Sequence, residues 1–307
     1  MSSAALSFPR TLRLARLQWT AWLGLVAIAL LDAVWANVIG VHLVIGWRPC
    51  EMPALLAVTA ITLHALGLKR PALIAEYLAL SVAMAAVFTV LCYLAFGSSG
   101  ALVDGQLLAA DRALGFDWLS GFHFIATHPL LSRALEWLYE SLNLQVLYLC
   151  VLLGLMEREQ TLREMFWLIF VSAAITNAIA IAMPAYGPFE AFGLQSHGAF
   201  LPDMHRLKSG QDMAFVLSRM TGVISFPSFH TVMALSYAWC LRRTGIIGYL
   251  FASMNFAMLF SIPYFGGHYL VDIIAGVGVM LLSLGIVKAF AARRELFGLL
   301  NRRLALG

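Results

Sequence analysis

Eight apolar runs, most of them long enough to cross a bilayer, set the terms on which this chain can fold. They lie at about 19–47, 52–68, 72–96, 136–156, 165–185, 228–241, 245–264 and 267–287. In hydrocarbon every backbone N–H and C=O must be satisfied within the chain, so only helices or a closed barrel can span. A run near twenty residues is a helix length, since a spanning strand needs only about 9–11. Charged residues make up 12% of the 307 positions and hydrophobic ones 61%; a soluble domain carries about 25% charged residues. The expectation is an all-α integral membrane protein of about eight transmembrane helices, with no separate water-soluble domain. A net charge of +4 fits basic cytoplasmic ends and does not argue for a nucleic-acid partner.

The ends of the runs carry the next constraint. Before Trp19 stand Arg10, Arg13 and Arg16 with no acidic residue. The apolar stretch that follows is far longer than the roughly 7–15 residues of a signal core, so it is expected to stay as a span. Asp32 lies inside it, and a lone carboxylate at mid-membrane costs roughly 2.5–3.5 kcal/mol on insertion scales. Asp32 should therefore face the bundle interior and take a structural hydrogen bond. Cys50, Cys92, Cys150 and Cys240 are scattered without metal-type spacing and read as small apolar residues. With eight spans both termini share one side, which then holds fourteen basic residues against six on the other. Basic loops stay in the cytoplasm, so both termini should be inside.

Two stretches are too polar to span. Residues 101–134 hold Asp104, Asp111-Arg112, Gly115-Phe116-Asp117-Trp118, His123 and His128-Pro129, with apolar residues at helical spacing, so short interfacial helices are expected. Asp111 with Arg112 reads as a local ion pair or a helix end. Residues 186–224 are loop-like and hold His197, His205-Arg206, Lys208 and Arg219. The four histidines of these stretches are interfacial, near the site or away from it. Glu136, Tyr139-Glu140 and Asn143 open the fourth run and are expected to point inward. The chain thus divides into N-terminal membrane helices (1–100), a membrane core (101–290) with interfacial helices at 101–134, and a basic cytoplasmic tail (291–307).

Chemistry concentrates in Ser225-Phe226-Pro227-Ser228-Phe229-His230-Thr231 and Gly266-Gly267-His268-Tyr269-Leu270-Val271-Asp272. Each puts a histidine where a Gly- or Pro-bearing loop enters an apolar run, and an odd number of crossings, five and seven, separates the chain start from the two motifs, which brings both to one outer face. His268 and Asp272 are four apart, a spacing that on a helix places Cβ atoms about 5–6 Å from each other. A carboxylate there can hold an imidazole in one tautomer and stabilise its positive form. His268 would attack an electrophile, and His230 would protonate the leaving group. Arg206, Lys208 and Arg219, in the loop ahead of the first motif, make an anionic phosphoryl group the natural electrophile. Ser228 and the amides opening the sixth run could bind its oxygens.

Pro227-Ser228-x-His230-Thr231, followed by Gly267-His268-Tyr269-x-x-Asp272-x-x-x-Gly276, resembles the second and third signature motifs of the type-2 phosphatidic acid phosphatase superfamily. The Phe-Pro-Ser-x-His and His-Tyr-x-x-Asp forms look more like the branch containing inositol phosphorylceramide synthase. Gly115-Phe116-Asp117-Trp118 and the Pro184–Pro188 turn are similar to bacterial members of that branch. The resemblance covers about residues 104–286. It implies a six-helix core, a phosphohistidine on His268, Asp272 as its orienting group and His230 as general acid. It implies no metal and no other cofactor. The substrate would be a lipid phosphate or phospholipid, with water or a lipid hydroxyl as acceptor. The usual first motif, a lysine followed seven residues later by Arg-Pro, is missing: Lys208 and Arg219 are eleven apart and Met220 follows. Either the three basic residues hold phosphate from another geometry or the backbone does. A transporter that keeps the fold is the rival reading, although no inverted repeat is visible; a metal site would need a third clustered ligand. Short loops and the resemblance point to a bacterial inner membrane.

Overall fold

The computed structural model describes residues 17–304, so Arg10, Arg13 and Arg16 lie outside the described residues. The chain runs α1 (Trp19–Ile39), β1 (His42–Val44), α2 (Trp47–Ala65), α3 (Lys69–Gly97), α4 (Asp104–Ala113), α5 (Trp118–Ala126), α6 (Pro129–Leu155) and α7 (Glu159–Ala182). It continues with α8 (Pro188–Ala191), α9 (Leu201–Ser209), β2 (Ala214–Val216), α10 (Phe229–Leu241), α11 (Ile246–Met258), α12 (Ile262–Phe265) and α13 (Leu270–Leu304). By length and composition α1, α3, α6, α7 and the Leu270–Arg293 part of α13 can cross a membrane. The Cys50–Ala65 part of α2, α10 and α11 are shorter apolar helices. The protein is an all-α membrane protein, and these helices fall on the eight apolar runs.

Among the boundaries that differ from the sequence reading, three have a local reason, and α13 continues as helix to Leu304, past the 287 expected. The first run stops at Ile39, because Gly40 adopts a left-handed φ of 71° and closes the helix, its N–H bonding to the Ala36 carbonyl. β1 then pairs in parallel with β2, Leu43 opposite Phe215. The 245–264 run breaks after Met258, since the Pro263 ring would clash with the carbonyl four residues back, at Leu259. α6 starts seven residues early, with Pro129 at its first position, where a missing N–H costs nothing.

Six helices form the core: α3, α6, α7, α10, α11 and α13 pack on one another, and α1 and α2 attach through α3. Lipid tails are as apolar as leucine, so close fit rather than hydrophobicity holds such helices together. Gly276 illustrates this, since a Cβ there would lie 2.6 Å from the Ser228 carbonyl oxygen. α13 can lie against the start of α10 only with hydrogen at that position.

A second apolar cluster sits at the end of the bundle where α10 and α13 begin, built from the stretches read as polar. Trp118 is stacked between Phe122 (5.1 Å) and Phe192 (5.4 Å), with Phe189 edge-on at 5.8 Å. Tyr93, Leu201, Met204, Leu207 and Phe215 extend it. The opposite end is polar. There the Gln18 N–H and the His64 ring meet the buried Glu76 carboxylate at 2.6 and 3.1 Å, and Arg163 bonds Gln18 and Glu159. A cavity of about 450 Å³ opens beside them. Asp32 is buried as expected, but its Oδ1 has no hydrogen-bond partner among the described residues.

Candidate active site

The Ser225–Ser228 loop and the Gly266–Tyr269 loop meet at the head of α10 and α13. Ser228 is fully buried and caps α10, its hydroxyl accepting from the Thr231 N–H at 3.4 Å. The Ser228 N–H donates to the Asp272 carbonyl at 3.0 Å, which ties one motif to the other. His230 then stands in the first turn of α10, where Tyr139 of α6 stacks on it, ring centroids 4.7 Å apart and planes 25° from parallel. The His230 and His268 rings lie 5.9 Å apart at 64°.

His268 does not lie on the helix that carries Asp272. α13 begins at Leu270, and His268 sits in the loop before it, its N–H on the Pro263 carbonyl at 3.2 Å. The pair still meets, because Asp272 in the first turn reaches back along the chain. Its Oδ2 accepts the Tyr269 N–H at 2.8 Å and the Ser225 hydroxyl at 3.2 Å, and lies 3.3 Å from His268 Nδ1. Its Oδ1 has no partner among the described residues. With Nδ1 on the carboxylate, Nε2 is the ring nitrogen left for chemistry. Burial holds the His268 imidazole below its ordinary range, at about 4, against a backbone hydrogen bond at Ser225 that works the other way. The resting ring is therefore neutral at pH 7, the form a nucleophile needs.

The loop can take this path because of its glycines. Gly267 has φ +63°, and a Cβ on it would lie 2.6 Å from Phe189 Cδ2. Gly187 has φ +96°, and its Cβ would lie 2.5 Å from the Gly267 carbonyl oxygen. The Pro184–Pro188 turn thus lies directly under the histidine loop.

The basic residues are placed differently from one another. Arg206 bonds the Asp203 carboxylate at 3.1 Å and the carbonyls of Asp212 and Ala214, and covers the Phe215 ring. Lys208 bonds the Ser99 carbonyl and hydroxyl and the Gly100 carbonyl at 2.6–3.0 Å, closing the C-terminal end of α3. Arg219 is exposed and has no partner among the described residues. Of the four histidines in 101–134 and 186–224, His205 bonds Glu190 and stacks on Tyr186, His197 packs on Phe122 and Phe189, His128 packs on Phe124, and His123 meets Phe122. In α6 the buried stripe runs Leu135, Leu142, Gln145, Leu149 and Leu153, with Tyr139 at its edge. Glu136, Glu140 and Asn143 fall beyond that edge and are exposed, a correction to the expectation that they point inward. Gln145, which the sequence reading passed over, is the buried one and accepts from Asn255 at 2.8 Å.

Asp111, read from sequence as a local ion pair with Arg112 or a helix end, lies in the last turn of α4. It is fully buried and forms no pair with Arg112; its carboxylate accepts the Leu270 and Val271 N–H groups at 2.8 and 2.9 Å. Burial raises its carboxyl above the usual range, while those two N–H groups lower it. Asp104 accepts the Tyr186 and Gly187 N–H groups and the Tyr269 hydroxyl. The one signal in the sequence is their seven-residue spacing, two helical turns on one face.

Comparison with curated proteins and with solved structures gave no match. Residues 105–286, more than half of the chain and inclusive of both histidine loops, match the PAP2 superfamily. The chain belongs to the PAP2 superfamily.

Proposed function

We propose that this protein is a membrane enzyme that removes a phosphoryl group, or a phospho-headgroup, from a lipid through a phosphohistidine on His268. One observation carries the reading: two imidazoles 5.9 Å apart, one of them held at Nδ1 by a buried carboxylate. In the first step His268 Nε2 attacks phosphorus, the ester P–O bond breaks, and the leaving alcohol oxygen takes the proton of a His230 imidazolium, the form that the bound phosphate's negative charge favours against the burial of that ring. In the second, water or a lipid hydroxyl gives its proton to His230 and attacks phosphorus. The P–N bond breaks and both rings are restored. Asp272 stabilises the positive charge that His268 acquires while phosphorylated. No metal or cofactor enters the scheme.

The first turn of α10 is suited to hold the phosphate. The Phe229 and His230 N–H groups have no partner among the described residues, and a helix N-terminus favours anions. Arg219 is free to reach an anion, whereas Arg206 and Lys208 would act by holding the segments around the mouth, and Ser228 by fixing the amides. Catalysis would belong to residues 101–290, flanked by the helices of 1–100 and the basic tail of 291–307. The inositol phosphorylceramide synthase-like motif forms favour a lipid hydroxyl as acceptor, and the charge asymmetry favours an outward-facing site in a bacterial inner membrane with both termini inside.

The test uses purified protein in a native lipid extract, wild type beside His268→Ala, with and without chelator. Free phosphate identifies a phosphatase; a new phospholipid identifies a transferase and names its acceptor. Turnover that survives His268→Ala in folded protein rejects the phosphohistidine. Turnover lost in chelator rejects the metal-free scheme. If neither product forms while vesicle assays detect lipid movement, transport replaces the enzyme reading.

A further inference from the structure

Three side chains of the non-spanning segment, seven residues apart, converge on the backbone around His268. Asp104 grips the Tyr186–Gly187 turn beneath the loop and the Tyr269 hydroxyl, at 2.8–3.2 Å. Asp111 takes the Leu270 and Val271 N–H groups, at 2.8 and 2.9 Å. The Trp118 indole N–H lies 3.0 Å from the Pro263 carbonyl and 3.1 Å from that of His268 itself. The loop is thus fixed before His268, at its own carbonyl, and just after it. All three anchors come from α4 and the start of α5, outside the span bundle.

Asp111 has the most direct mechanical lever. The first N–H groups of a helix have no partner inside it. Here two of those of α13 are capped by a carboxylate more than 150 residues away in sequence. That cap sets where α13 begins, and with it the positions of both Asp272 and His268. It also occupies two leading N–H groups of α13, so a phosphate is left with the start of α10, beside His230.

We propose that Asp111 is a positioning residue for the nucleophile, the chief anchor of a strap formed by α4 and α5 that holds His268 Nε2 in line with the scissile phosphorus. The proposal rests on the phosphohistidine reading, and it makes a separate structural claim. Asparagine at 111 keeps one acceptor and turns an NH2 toward the second backbone N–H; alanine loses both bonds.

The experiment compares full-length wild type, Asp111→Asn, Asp111→Ala and, as a control, Arg112→Ala at the exposed neighbour. Lipid turnover per folded molecule and hydrogen exchange are both read. A misplacement near 1 Å costs about 100-fold in rate; Asp111→Ala should therefore lose about 100-fold in kcat, Asp111→Asn about tenfold, and KM should move far less. Exchange should rise in peptides covering 266–275 and stay unchanged in α1, which packs on α3 and β1. Wild-type kcat in folded Asp111→Ala overturns the proposal, as does a loss confined to KM. If Asp111→Ala does not fold, the Asp111→Asn kcat and exchange decide in the same way. If wild type has no His268-dependent turnover, the phosphohistidine reading fails on its own. Exchange in Asp111→Ala, or in Asp111→Asn if alanine does not fold, then decides the strap, and an unchanged 266–275 region rejects it.

Discussion

Asp272 uses its two oxygens unequally, and that asymmetry makes its charge separable from its shape. Oδ2 gathers the Tyr269 N–H, the Ser225 hydroxyl and His268 Nδ1, while Oδ1 has no partner among the described residues. An asparagine can keep its oxygen where Oδ2 stands and turn its NH2 into the unused position. Asp272→Asn should therefore fold with a melting temperature near wild type and lose kcat by about 10²–10⁴-fold, the loss expected when a histidine loses its anionic partner. A wild-type rate in this variant would remove the orienting role. The pH profile is a second handle on the same pair. Because burial holds His268 down from 6.5 to about 4, its ring would be neutral, the form the proposed attack needs, above that value. Its contribution to kcat/KM should be complete at pH 5–7 and disappear as pH falls through about 4, once the substrate's own ionisation is divided out. An acid limb near 6.5 assigned to His268 would mean the ring is solvated in the working enzyme.

At the scale of elements, the histidine loop depends on a backbone shape that only glycine permits. Gly267→Ala must adopt φ +63° and press its methyl group into Phe189; the left-handed conformation alone costs about 1–2 kcal/mol. It should lower both the melting temperature and turnover, whereas Gly278→Ala, with open space around its Cβ, should leave turnover unchanged and at most stabilise α13. Equal behaviour of the two in thermal melts and lipid turnover would count against a shaped loop. These elements also mark what a sequence can tell. The apolar runs located the helices because hydrocarbon imposes the helix length, and the polar-to-apolar transitions located His230 and His268 at one end. Asp111 stayed hidden because its partners are 159 and 160 residues away, and Asp-Arg is locally indistinguishable from an exposed ion pair. Arg206 and Lys208 carry the charge an anion needs, yet their donors meet backbone carbonyls, a use that no spacing reveals. The split of the first run was legible only in part, since Gly40 permits a left-handed stop without requiring one.

For the whole molecule the decisive variable is which face of the membrane the histidines occupy. If all eight apolar runs cross, the sequence divides its basic residues fourteen to six between the two sides, and that bias orients helical membrane proteins with the richer side in the cytoplasm. The histidine end would then face outward, drawing substrate from the outer leaflet and releasing any phosphate outside. The four native cysteines offer a test. Cys50 is exposed near the start of α2, just after β1, and β1 pairs with β2 in the segment leading to Ser225. It therefore lies at the same end as His230 and His268. Cys150 and Cys240 are buried and Cys92 is half-buried within α3. A membrane-impermeant maleimide added to intact cells should modify Cys50, and Cys50→Ser should abolish that labelling. Modification of Cys50 only after the cells are opened would turn the molecule over. The active site would then draw on the inner leaflet, and the charge asymmetry would need another cause.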